Sequence, residues 1–126
     1  MNRLEQGKAL LNQVDATAAN TVMSSLKDIA PDISKYILEF AFGDIYARPG
    51  LTLQQRELVT ITALLVQGDT SSQLTVHLNG CLNVGLMPKE IVETCIHCIP
   101  YVGFPRVLNA ITIVQQVFAS RKISIE

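Results

Sequence analysis

The chain has 126 residues and a formal net charge of −1, with 48% hydrophobic and 17% charged residues, and a mean hydropathy of +0.29. This length suits one domain, the apolar content excludes general disorder, and the lack of any basic run argues against nucleic acid as a partner. No membrane span accounts for the hydropathy, because the longest apolar runs, 58–67 and 107–119, carry Thr, Gln or Asn and fall short of about twenty residues.

The pattern predicts an all-α fold. A short first helix is expected over 2–11. A second follows over 15–29, capped by Asp15, with Val14, Ala18, Val22, Leu26 and Ile29 at helical spacing. Pro31 ends that helix and opens the next, 32–42, whose apolar positions are Ile33, Tyr36, Ile37 and Phe40. Residues 43–51, with Pro49 and Gly50, read as a loop. Thr52 and Gln55 form a capping-box pattern opening a helix over 53–67, with Leu58, Ile61 and Leu65 on one face. Gly68 stops it, and 72–84 is the next helix, stopped by Gly85. Pro88 and Glu90 start a helix over 89–99, which Pro100 and Gly103 are expected to break or kink. The last helix, 105–121, carries Val107, Leu108, Ile111, Val114 and Phe118. The tail 122–126 suits an extended segment. No period-two alternation supports a sheet.

A chain this small and apolar has apolar side chains beyond what its interior holds, which predicts a homo-oligomer. The first residues, MNRLEQGKALLNQ, show no signal-peptide core. The expected compartment is therefore the cytoplasm, where the three cysteines, Cys81, Cys95 and Cys98, are reduced thiols.

Few residues carry chemistry. His77 lies mid-helix, with Cys81 one turn further on the same face. A histidine there is either an acid–base group near neutral pH or a hydrogen-bonded packing residue. Glu57 lies one turn into an apolar helix. Facing inward, it would have its pKa raised and could shuttle protons. Facing outward, it would pair with Arg56 or water. Arg48, in the preceding loop, offers a fork that suits a carboxylate, although a loop arginine is commonly just solvated. Cys95 and Cys98 form a CxxC on neighbouring positions of one helix, with His97 between them. Three readings stay open for them: buried structural thiols, a redox pair, or part of a metal site that needs two further ligands.

Four stretches in order, Phe42–Gly43–Asp44–Ile45–Tyr46–Ala47–Arg48–Pro49–Gly50–Leu51, then Arg56–Glu57–Leu58–Val59–Thr60–Ile61, then His77–Leu78–Asn79–Gly80–Cys81 through Gly85, and finally Tyr101–Val102–Gly103–Phe104–Pro105–Arg106, resemble the carboxymuconolactone decarboxylase family. The resemblance covers about 31–117. It implies the helical alkylhydroperoxidase-D-like fold in a homo-oligomer, commonly a hexamer assembled from dimers or trimers.

The resemblance also implies one of two chemistries. One branch decarboxylates 4-carboxymuconolactone in protocatechuate breakdown without a cofactor or metal. The other uses a CxxC as a disulfide reductase or peroxidase. In that second branch the cysteines precede the family histidine, at positions matching Thr70 and Gln73 here, so the thiol mechanism does not carry over directly. For decarboxylation of a small carboxylate, the resemblance implies His77 and Glu57 as catalytic residues. Arg48 would bind the substrate carboxylate, and Cys81 would line the substrate site where the family often has a small residue. Cys95 and Cys98 remain the candidates for the redox alternative.

Overall fold

The structure, a computed structural model, describes residues 1–125. It is helical, with no strand among the described residues, and no described helix is long and apolar enough to cross a membrane. The chain divides into two compact units, 1–53 and 54–126.

The first unit is built from α1 (Arg3–Leu26), α2 (Pro31–Tyr36) and a π-helix (Ile37–Tyr46). Asn2 caps α1 by accepting from the Glu5 N–H at 2.8 Å, and the Glu5 carboxylate reaches back to the Asn2 N–H. The two expected N-terminal helices form one element with a break at Asp15, whose backbone is extended (φ −163°, ψ 94°). Its side chain accepts from the Ala18 N–H at 3.1 Å, so Asp15 serves as an internal cap.

The expected loop from Gly43 is instead helix. The chain stays helical to Tyr46, but with π geometry, whose i→i+5 bonds change the angle per residue. The buried residues of this stretch are Phe42 and Gly43, while Phe40, like Ile33 and Tyr36 of α2, is exposed. Two glycines let α1 and the π-helix touch backbone to backbone: a Cβ on Gly7 would overlap the Leu38 carbonyl oxygen, and one on Gly43 would lie 2.5 Å from that of Arg3. Arg3 then holds Asp44 through two hydrogen bonds, at 2.9 and 2.8 Å.

The second unit holds α3 (Leu53–Gln67, but for its first residue), α4 (Ser71–Asn83), α5 (Pro88–Val102) and α6 (Phe104–Ser120). Their boundaries lie within about three residues of those expected. The core joins Ile61 and Leu65 of α3, Leu74 and Leu78 of α4, Ile91 of α5, and Val107, Val114 and Phe118 of α6. Pro100 does not break α5. The helix runs two residues past it and ends at Gly103, whose φ is +89°. The tail, expected extended, begins instead as a helix cap. The Ile123 N–H bonds the Phe118 carbonyl at 2.9 Å and Lys122 takes a positive φ of 57°. Glu126 lies outside the described residues. Large apolar side chains stay exposed within this unit, among them Val59, Val66, Phe104 and Leu108.

Candidate active site

Glu57 lies four residues before Ile61 and eight before Leu65, so the apolar stripe of α3 carries it inward. It is fully buried. Burying a carboxylate is costly unless it finds donors. One donor is His77, from the middle of α4. His77 Nδ1 lies 3.0 Å from one Glu57 oxygen and 3.3 Å from the other. A carboxylate only accepts, so with Glu57 ionised Nδ1 carries the hydrogen and donates it. That bond fixes the ring and leaves Nε2 as the nitrogen for a reacting molecule. The His77 side chain keeps 18% of its surface exposed against none for Glu57. The buried member therefore orients and the partly open member meets solvent. Of the two facings that sequence leaves open for Glu57, the structure shows the inward one.

Cys81 is fully buried one turn beyond His77, in the core of the second unit. Burial first, and then the negative charge of Glu57, push its thiol far above the ordinary range. Cys95 and Cys98 are buried free thiols on the inner face of α5. Burial, with the neighbouring Cys98, pushes the Cys95 thiol up to about 11. His97 does not stand between the two thiols. It is exposed, with its ring 5.7 Å from that of Tyr101. Among the described residues, no group of three His, Cys, Asp or Glu side chains is placed to hold a metal. Arg48 lies in the exposed turn after the π-helix, in the first unit.

A cavity of about 320 Å³ opens in the second unit between α3, α4 and α6, and His77 is not in its lining. Sequence reading did not single out this cavity. Two of its polar members, Arg106 and Asn109, carry no spacing signal beyond sharing a helix face at i and i+3.

The family model of the carboxymuconolactone decarboxylase family matches residues 31–116. Over 125 residues the chain is 34% identical to a 4-carboxymuconolactone decarboxylase of Acinetobacter baylyi, covering 98% of this chain and 92% of that one. It is 30% identical over 117 residues to an uncharacterized 15.0 kDa protein of Paracoccus denitrificans, covering 92% and 87%. It is also 30% identical over 105 residues to a nitrosuccinic acid decarboxylase of Metarhizium robertsii, covering 81% and 73%. With a family model over most of its length and a relative matched nearly end to end, the chain belongs to the carboxymuconolactone decarboxylase family.

Proposed function

We propose that this chain is a cofactor-independent decarboxylase acting on a small carboxylated lactone or a related acid. The observation that carries this reading is the His77–Glu57 pair: a partly open imidazole held at 3.0 Å by a fully buried carboxylate. Two of the relatives are named as decarboxylases of different acids, which supports the reaction class more than either substrate.

The chemistry asks for little beyond this pair. The bond from the substrate carbon to its carboxylate breaks and CO2 leaves. The electron pair passes into a conjugated acceptor, which for a lactone is the ring carbonyl, giving a dienolate. In the imidazolium state His77 has a hydrogen on Nε2. It donates that hydrogen first as a hydrogen bond to the anion, then as a proton to carbon. Glu57 accepts from Nδ1 throughout, so the ring does not turn between steps. A carboxylate is less stable in surroundings poor in water, which favours its conversion to neutral CO2. The role of Arg48 as holder of the substrate carboxylate rests on the family resemblance and on its fork of donors. Cys81, without exposed surface, acts by shaping the packing behind His77.

No observation favours the thiol peroxidase reading. Cys95 and Cys98 are buried, and a thiol raised to about 11 is a poor nucleophile near neutral pH. The exposed apolar side chains of α3 and α6 support a homo-oligomer in which contacts between copies cover them.

The test is CO2 release from 4-carboxymuconolactone, with nitrosuccinic acid as a second substrate. His77→Ala should lower kcat at least a hundredfold, on the usual scale of general acid catalysis of about 10²–10⁴. Cys95→Ala with Cys98→Ala should leave kcat within about threefold. Hydroperoxide turnover that needs Cys95 and Cys98 but not His77 would replace this reading with the redox one.

A further inference from the structure

We propose that the second unit carries a separate ligand site. It is the cleft between α3, α4 and α6, and it takes a small monocarboxylate with an apolar body about the size of one ring. This site is independent of whether the chain is a decarboxylase.

Size comes first. The cavity measures about 320 Å³. An engineered protein cavity of about 150 Å³ holds a benzene molecule, so a ring with one substituent fits here. Leu64, Leu65, Leu74 and Ala110 supply an apolar floor, which rewards a ligand with an apolar body.

Charge comes second. Arg106 is in the lining, and its Nη1 donates to the Gln67 carbonyl at 2.8 Å. The guanidinium lies over Gly68, where a Cβ would collide with Nη1, and Gly68 has a φ of +71°. Residue 68 is therefore glycine for two reasons, its backbone and the seat it leaves for the guanidinium. The bond to Gln67 holds one corner of the fork. Nε and Nη2 make no hydrogen bond among the described residues, and that edge matches the two oxygens of a carboxylate. Asn109, three residues along α6, lines the same cleft and adds an amide donor. Asp69 is the one acid in the lining. It opposes a second negative charge on the ligand, so the cleft suits a monoanion over a dianion. Leu74, one turn before His77, is the nearest lining residue to the catalytic pair along α4, and His77 does not line the cleft.

The probe is cyclohexanecarboxylate, titrated into the intact protein by calorimetry and by chemical-shift perturbation. The expected result is saturable binding, one per chain, with a Kd of about 1 mM or tighter. Cyclohexanecarboxamide, the neutral analogue, should bind at least tenfold more weakly, and so should inorganic phosphate, which lacks the body. Arg106→Gln should weaken the carboxylate about ten- to a hundredfold, the range for charge-assisted bonds. Arg106 also braces Gln67, so Thr112→Phe provides a second variant. Thr112 is an exposed lining residue whose hydroxyl bonds the Leu108 carbonyl of its own helix, at 3.2 Å. A ring there should block the cleft without touching Arg106. His77→Ala should bind the probe as the parent does. The proposal is overturned if no saturable binding occurs or if carboxylate and amide bind alike. It is also overturned if Arg106→Gln and Thr112→Phe both bind normally, or if His77→Ala loses a binding that Arg106→Gln keeps.

Discussion

Replacing Glu57 by Gln separates what the buried carboxylate does for catalysis from what it does for stability. The amide has nearly the same shape, and its oxygen can still accept from Nδ1 at the present 3.0 Å. What is lost is the charge on the acceptor. Hydrogen bonds to charged groups are worth about 1.5–3 kcal/mol and neutral ones about 0.5–1.5 kcal/mol, so the exchange weakens the His77 bond by about 1–2 kcal/mol. The same exchange removes a charge from a position with no exposed surface, which offsets part or all of that loss in the folded state. Stability should therefore change by less than about 1 kcal/mol, or a Tm shift within about 5 °C for a chain of this size. No such offset helps the transition state, where His77 must be an oriented cation giving up its proton. We expect kcat for CO2 release to fall about ten- to a hundredfold with KM within about threefold, since 1.4 kcal/mol is a factor of ten. The Glu57→Gln/His77→Ala double variant should be no slower than His77→Ala alone, because the carboxylate acts only through the ring. Nitrogen-15 shifts of the ring report the Nδ1–H tautomer and should move in Glu57→Gln. Unchanged kcat in Glu57→Gln beside an inactive His77→Ala would show that Glu57 merely fills space, and the reasoning would fail.

Other outcomes follow from the packing. Gly43→Ala places a methyl 2.5 Å from the Arg3 carbonyl oxygen and should destabilise the protein by about 1–3 kcal/mol, measured by urea unfolding. A normal midpoint would mean that α1 and the π-helix part easily. Cys95 has a folded thiol value of about 11 against an ordinary 9.0. Its stabilising contribution is intact below pH 9 and is lost as pH rises from about 9 to 11, because the unfolded chain releases the proton first. Cys95→Ala should flatten that part of the alkaline stability profile, and an identical slope would contradict it. Light scattering should give a mass of several chains, because Val59, Val66, Phe104 and Leu108 are exposed in one; a stable monomer would require another explanation for those side chains.

Much of the fold was legible from local signals. Asp15, Pro31, Gly68, Gly85, Pro88 and Gly103 mark helix ends that sequence reading placed within a few residues, since caps and breakers act over one turn. The π-helix was not legible. Nothing local in 37–46 distinguishes i→i+5 from i→i+4 bonding. The close approach of Gly7 and Gly43 and the Arg3–Asp44 pair, 41 residues apart, accompany that geometry. Pro100 shows the opposite limit: a breaker by local rule, it is carried inside α5, whose buried face includes Ile91, Cys95 and Cys98.

The candidate site divides in the same way. Residue type marked His77 as a group able to move protons and Cys95 with Cys98 as a pair of thiols, because such chemistry belongs to the side chain, while Glu57 was singled out by the family resemblance. Sequence left open which way each faces. Tertiary structure decided that Glu57 turns inward and meets His77 across two helices, that both thiols of the CxxC are buried, and that Arg106 lies over Gly68. Such outcomes depend on which helix lies against which, and burial and hydrogen-bond partners exist only once the helices have packed.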